Sequence, residues 1–385
     1  MKILHLTWEY PPRIVGGLAR HVYYLSKELA KLGNDVYVIT LEFPNVTLDE
    51  YKDNLRIHRV KVELASYDFL TWCYAFNHFF EKKIASIIQD IDVIHAHDWL
   101  VAISAISAKY FLKKPLVATV HSLEIGRVGS LSNPLSIVID NIEWWLTYEA
   151  KFVITTSNFM KNQLIEHFRL PSDKIFVISN GIDEDEFNIE INKDEIKTSL
   201  GFSKENKLVG FIGRITEQKG IRYFIQAIPH ILNYHKDARF IIVGDGWQIN
   251  EMKDLAKKLN VDWATKFTGY VKDEELKKIL KSLDVIVIPS VYEPFGIIAL
   301  EAMVSGVPIV ASNVGGLAEV IDDGIDGLKV PPRNPEAIAH AVNEYLTNES
   351  LRNKIIDNAR NKSKLFSWFE IAKKTLEVYY KLKDV

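Results

Sequence analysis

The chain has 385 residues, 48% of them hydrophobic and 25% charged, which is enough apolar material for two cores in a globular protein of ordinary composition. Its 47 basic and 50 acidic residues leave a net charge of −3, so charge gives no reason to expect nucleic acid or a membrane surface as a partner. The single cysteine, Cys73, excludes an internal disulfide framework and a thiolate metal cluster. No apolar run reaches the roughly 18 residues of a membrane span, so a cytoplasmic protein without a transmembrane segment is expected.

Residues 2–7 read as a strand, 18–32 as an amphipathic helix ended by Gly33-Asn34, and 36–40 as the next strand, which together make a βαβ unit. Gly16-Gly17 stand just before the helix. Such a pair lets backbone N–H groups approach an anion such as a diphosphate, and it serves equally as a tight turn with a glycine N-cap. It is not the G-x-G-x-x-G fingerprint, which disfavours an NAD-dependent dehydrogenase. Residues 41–90 are less regular, with Tyr67, Phe69, Trp72, Tyr74, Phe76, Phe79 and Phe80 at spacings that suit core or a domain flank better than an acceptor surface.

From residue 93 the pattern sharpens: strand into loop at Val93–His97 and Asp98, a helix to about 112, and a buried strand 116–120 ending at His121. Asp98 and His121 therefore sit at strand ends, where ligands collect in doubly wound sheets, although a lone histidine is more often a satisfied structural one. His95 and His97 share one face of their strand while Asp98 opposes it. With no third nitrogen evident, no metal is expected. A helix over 134–148, a strand over 152–156, a helix over 158–168 capped by Ser157 and a strand over 175–178 follow. Asn180-Gly181 and the acid-rich stretch 183–195 then read as a hinge between two domains, 1–183 and 184–366.

The second half restarts with a buried strand over 208–212, whose loop carries Arg214 and Lys219 into the helix 221–232. Both cations can reach a phosphate there, and both would also serve as solvated surface residues. The strand 240–243 runs into Gly244-Asp245-Gly246. A further strand ends at Tyr270, which is either core or a platform for a base. The stretch 284–301 is the centre of the chain: a strand buried on both faces over 285–288, a loop with Glu293-Pro294, and a helix over 295–304 that Gly306 and Pro308 stop. If one helix held Glu293 and Glu301, about 1.5 Å per residue would set them roughly 12 Å apart, so they should have different jobs. Glu301 is either an exposed-face residue or a carboxylate for ligand hydroxyls. Gly315-Gly316, after the strand 308–311, form a second possible anion nest. Helices over 335–346, 349–366 and 367–383 complete the chain, the last able to return to the first domain.

Taken together, Gly16-Gly17, Gly213-Arg214 with Glu217-Gln218-Lys219-Gly220, and Glu293-Pro294-Phe295-Gly296 leading to Glu301 resemble the retaining glycosyltransferases of the GT-B architecture. More closely, the chain is similar to the glycogen and starch synthases of family GT4 and their archaeal relatives. The resemblance implies an α/β fold of two Rossmann-like doubly wound domains facing a cleft, with the C-terminal helix (367–385) crossing back to the N-terminal domain. It implies a nucleotide sugar, ADP-glucose or UDP-glucose, as substrate rather than a cofactor, and a glucan or other sugar as acceptor. Arg214 and Lys219 would hold the diphosphate in place of a metal, Glu293 would lie beside the donor sugar, and His121 and Asp98 would face the reacting centre. Glu301 would bind the ribose, Tyr270 the base, and Gly16, Gly17, Gly296, Gly315 and Gly316 would approach the donor. Asn180 and Asp183 would match the family's hinge turn. One departure stands out: Ile14, with Arg13 beside it, occupies the place of the usual lysine two residues before the Gly-Gly pair, which weakens the case for ADP-glucose synthase activity.

Overall fold

The computed structural model of the protein describes residues 1–87 and 90–383; residues 384–385 of the expected terminal helix, and 88–89 of the irregular stretch, lie outside the described residues. The chain forms two compact units, Met1–Gly181 with Trp368–Val385, and Ile182–Ser367. Both are Rossmann-like.

The first unit is built on β1 (Lys2–Leu6), β2 (Asp35–Leu41), β3 (Asp49–Lys52), β4 (Leu55–Val60), β5 (Val93–His97), β6 (Leu116–Val120), β7 (Phe152–Thr155) and β8 (Ile175–Val177). They are ordered β3-β4-β2-β1-β5-β6-β7-β8, parallel except for the edge hairpin β3–β4. Building outward from β1 in one direction and from β5 in the other puts the topological switch between β1 and β5, and ligands bind at such points outside the strands' carboxyl ends. The helix Gly17–Lys31 presents Leu18, Val22, Leu25 and Leu29 to the core, one apolar stripe at helical period. Gly33, at φ 83°, ends it in a left-handed turn that a side chain would strain.

The helix Trp368–Tyr380 belongs to this unit. Trp368 stacks on Tyr24 with ring centroids 5.4 Å apart, and Leu376 and Tyr379 enter the same core. Gly181 is required where the chain leaves the unit, because a Cβ there would lie 2.6 Å from the Trp368 ring.

The second unit holds β9 (Lys207–Ile212), β10 (Ala238–Val243), β11 (Thr265–Gly269), β12 (Val285–Ile288), β13 (Ile309–Ser312) and β14 (Leu328–Val330), ordered β11-β10-β9-β12-β13-β14 and parallel throughout. The strand period of two divides its side chains between two cores. Val209, Phe211, Phe240, Ile242, Val285 and Val287 face one set of helices, and Leu208, Ile241, Val243, Ile286 and Ile288 face the other. Its switch lies between β9 and β12, the strands whose loops carry Arg214, Lys219 and Glu293.

Three local expectations are corrected. The stretch expected to be less regular nevertheless supplies the hairpin β3–β4 and the helix Phe69–Ile87, whose Phe76 and Phe80 are buried at i, i+4, with loops over 42–48 and 61–68. The helix expected over 295–304 runs Ile297–Ser305, because Phe295 turns into the core and Gly296, at φ 96° and ψ 59°, caps the helix from a left-handed conformation. Helices Lys193–Ser199, Ile249–Lys258 and Asp273–Ser282 were not anticipated; the last two have few apolar residues to mark them. No helix among the described residues is long and apolar enough to cross a membrane.

Candidate active site

In the second unit the loop after β9 is sewn to the loop after β12. The Gln218 carbonyl accepts the N–H groups of Val291 and Tyr292 at 2.8 and 3.2 Å. Gly220 has φ 64°, and a Cβ there would fall 1.9 Å from the Pro289 carbonyl oxygen, so only glycine permits this approach. The result is a single side-chain pair: Lys219 Nζ donates to Glu293 Oε2 at 2.7 Å, with Ser290 Oγ donating to the same oxygen at 3.1 Å. Glu293 is 6% exposed, so its charge is held by two donors rather than by bulk water.

Arg214, on the same loop, is exposed, and none of the described side chains pairs with it. Arg214 and Lys219 thus share one loop at the sheet's switch but differ in their surroundings: Lys219 carries a carboxylate, and Arg214 carries none among the described residues.

Glu301 is 5% exposed on the helix Ile297–Ser305, which removes the exposed-face alternative. Gly296 opens that helix; a Cβ on it would press on Leu317 Cδ1 at 2.8 Å. Gly316 donates its N–H to the Glu293 carbonyl at 2.9 Å and leaves no room for a Cβ, which would lie 2.0 Å from the Pro294 oxygen; Gly315 turns with φ 53°. These two glycines thus pack the β13 loop onto the Glu293 loop. Tyr270, just past β11, is 74% exposed, which excludes the core reading and leaves its ring face open.

In the first unit Asp98 follows β5 at φ 61°, an uncommon backbone for a non-glycine residue. Its Oδ1 accepts the His121 N–H at 2.7 Å, and burial pushes its carboxyl up to about 6. His121 follows β6, and its ring meets His21 edge-on with centroids 4.5 Å apart. Asn180 reaches back to this group: its Oδ1 lies 2.7 Å from His21 Nδ1. Asp183 instead caps the short turn after it, accepting the Asp185 N–H at 3.2 Å.

The Gly16-Gly17 loop holds a feature that the sequence did not announce. Glu9 Oε2 accepts the N–H groups of Val15 at 2.6 Å and Gly16 at 3.0 Å, so a carboxylate of the chain already sits on part of the nest. Gly16 has extended backbone, φ −156°, and a Cβ there would meet nothing closer than 3.9 Å. Neither backbone strain nor packing within the folded loop calls for glycine at that position. Arg13, beside Ile14, turns its guanidinium to the Glu42 carbonyl, with Nη2 at 3.0 Å.

Sequence reasoning also missed the histidine cluster. His5, His21, His95, His97 and His121 come together from β1, the first helix, β5 and the end of β6. Burial drives the imidazoles of His21, His95 and His97 well below their usual range, and those of His5 and His121 down to about 3. All five are therefore neutral at pH 7. His5 on a buried strand and His21 on the apolar stripe of a helix were the available signals.

Two family descriptions match the chain: Glycosyltransferase Family 4 over residues 15–186 and Glycosyl transferases group 1 over residues 192–362. An uncharacterized glycosyltransferase of Methanocaldococcus jannaschii is 42% identical, with 98% of each chain covered. A glycogen synthase of Mycobacterium tuberculosis is 34% identical across all of this chain and 95% of its own length. Among solved structures, sucrose-phosphate synthase from Thermosynechococcus elongatus superimposes with a TM-score of 0.84, covering 99% of both chains at 23% identity, a likeness of fold. With both halves matched in order and relatives aligned end to end, the chain belongs to the GT-B glycosyltransferases described as group 1 and family 4.

Proposed function

We propose that this glycosyltransferase moves glucose, or a closely related hexose, from a nucleotide diphosphate sugar (ADP-glucose or UDP-glucose) to the end of an α-1,4-glucan, with retention at the anomeric carbon. The observation that carries the reading is the Lys219–Glu293 pair at the β9/β12 switch, with Arg214, which has no partner among the described side chains, on the Lys219 loop. As the bond from the anomeric carbon to the diphosphate breaks, negative charge grows on the diphosphate and positive charge on the sugar ring. Arg214 and Lys219 offset the first without a resident metal, and the Glu293 carboxylate offsets the second. The contact of Lys219 with Glu293 supports this reading, since one ammonium then serves the carboxylate and the leaving diphosphate alike.

The remaining residues divide along the same line. Glu301 takes the ribose hydroxyls, Tyr270 the base, and the loops at Gly296 and Gly315-Gly316 the sugar and phosphates. Within the first unit, Gly16, where a Cβ would meet nothing closer than 3.9 Å, leaves backbone open to a phosphate, and the family resemblance assigns Asp98 and His121 to the transferred sugar. The glycogen synthase relative supports glucan as acceptor.

The experiment is product analysis with purified protein, ADP- and UDP-glucose, and a panel of maltodextrins, glycogen, monosaccharides and lipid-linked sugars. Elongation of α-1,4-glucan is expected. Incorporation only into short sugars or lipid overturns the acceptor, and equal nucleoside diphosphate release by the wild type and Glu293→Gln overturns the catalytic claim. A second reading, transfer to a small sugar or lipid-linked acceptor, draws on two features: Ile14 stands where, by the resemblance, glycogen synthases typically carry lysine, and Arg13 is held on the Glu42 carbonyl rather than left to replace it.

A further inference from the structure

Four ring nitrogens of the histidine cluster, His5 Nε2, His21 Nε2, His97 Nδ1 and His121 Nε2, are buried without a hydrogen-bond partner among the described residues. An orphaned buried nitrogen is costly, and three of these four, on His21, His97 and His121, belong to rings close enough together to share one occupant. We propose that His21, His97 and His121 form a binding site for one borderline divalent transition metal ion, Zn2+ or a congener, which nothing in the glycosyl-transfer reading requires.

Geometry supplies the first support. One ring nitrogen from each of the three lies within 4.8 Å of one from each of the others. Bonds of about 2.0–2.1 Å to a tetrahedral ion put ligand nitrogens about 3.3 Å apart, a contraction within reach of small side-chain rotations.

The outer contacts supply the second. Asn180 Oδ1 lies 2.7 Å from His21 Nδ1, so that nitrogen donates and the orphan Nε2 carries the lone pair. His97 Nε2 lies 2.9 Å from His5 Nδ1; with His97 as donor, its orphan Nδ1 carries the lone pair as well. A metal-binding imidazole ordinarily gives its other N–H to such an acceptor, which fixes ring and tautomer. The rival trio of His5, His95 and His97 is less suited, because both nitrogens of His95 are engaged, by the Tyr379 hydroxyl at 2.5 Å and Thr119 Oγ1 at 2.6 Å.

The donor set has three neutral nitrogens, no thiolate and no carboxylate, which suits Zn2+, Cu2+ or Ni2+ and not Mg2+ or Ca2+. His21 and His97 are 2% and 0% exposed, and His121 is partly exposed, so the ion enters past His121 and keeps its fourth position toward that side for water. Binding there ties down the His121 ring. If His121 faces the transferred sugar, as proposed above, Zn2+ slows transfer; the site itself stands on its ligands alone.

The full chain, stripped with chelator, is titrated with Zn2+ and with Co2+, reading stoichiometry by equilibrium dialysis with elemental analysis and ligand field by visible absorption. One ion per chain with four-coordinate Co2+ bands is expected. His121→Ala and His21→Gln should each weaken binding at least 100-fold and abolish the bands, while Asn180→Ala weakens it about 10–100-fold through the lost outer contact. His78→Ala, at an exposed histidine outside the cluster, should bind as the wild type does. If His21→Gln fails to fold, His121→Ala with unchanged circular dichroism decides alone. No stoichiometric binding by the wild type, six-coordinate Co2+ spectra, or affinity unchanged in His121→Ala overturns the site. Activity measured with and without Zn2+ reports separately on the transfer reading.

Discussion

Replacing Lys219 by methionine keeps the length of its stem and deletes the charge that Glu293 faces at 2.7 Å. Glu293, with a side chain 7% exposed, then keeps only the Ser290 hydroxyl at 3.1 Å among the partners it had. Stranding a charged group that has lost its partner costs about 1.5–3 kcal/mol, and removing one member of a fully buried pair about 3–5. The Lys219 side chain is 22% exposed, so water reaches the site and the lower end applies, about 1.5–2 kcal/mol. For a unit of 150–250 residues each kcal/mol moves the midpoint by about 2–4 °C, so Lys219→Met should unfold about 3–8 °C lower.

The double variant Lys219→Met/Glu293→Gln strands no charge and should recover most of that loss, giving a coupling of about 1–2 kcal/mol in the cycle. Catalysis should behave oppositely. Transfer falls about 10²–10³-fold in Lys219→Met, the usual loss when a donor to a developing anion is removed, and the double variant stays inactive. Calorimetry on the four proteins, paired with nucleoside diphosphate release, checks both halves. Additive midpoints refute the energetic coupling, and transfer regained in the double variant refutes the placing of Lys219 at the diphosphate.

Other outcomes follow from single features. Arg214→Ala, at an exposed and unpaired side chain, should change stability by less than about 0.5 kcal/mol yet raise the Kd for a nucleoside diphosphate at least tenfold by calorimetric titration; unchanged affinity removes Arg214 from the site. Gly220→Ala must accommodate a Cβ 1.9 Å from the Pro289 oxygen at φ 64°, so urea unfolding should show a loss of about 2–5 kcal/mol, and a wild-type curve would disprove the close approach. Glu9→Gln keeps the shape of the carboxylate that Val15 and Gly16 contact but removes its charge from the nest; the donor KM should fall, and a rise would mean that the carboxylate shapes the loop rather than competing with phosphate. The Cys73 thiol is 4% exposed and pushed up to about 12 by burial, so at pH 8 it should resist a disulfide reagent until denaturant is added; prompt stoichiometric reaction contradicts its burial.

Much of this protein is set by local chemistry. Short β-branched apolar runs closed by proline, such as Val285–Ile288 before Pro289, favour strands buried on both faces, and strands alternating with amphipathic helices select parallel sheets with ligand loops at their carboxyl ends. Hence Arg214, Lys219, Glu293, Asp98 and His121 could be placed at strand ends from the order of residues alone. What no linear reading reaches is contact across the fold. Lys219 meets Glu293, 74 positions on, only because β9 and β12 are neighbours. Glu9 fills the Gly16 nest because the loop doubles back on itself. The five histidines, spread from residue 5 to residue 121, become one cluster because β1 and β5 pair in register, His5 opposite His95, and the first helix lays His21 against their ends. Propensity and periodicity act over a few residues; which charged and polar groups share a site is decided by strand order, which depends on burying whole faces at once.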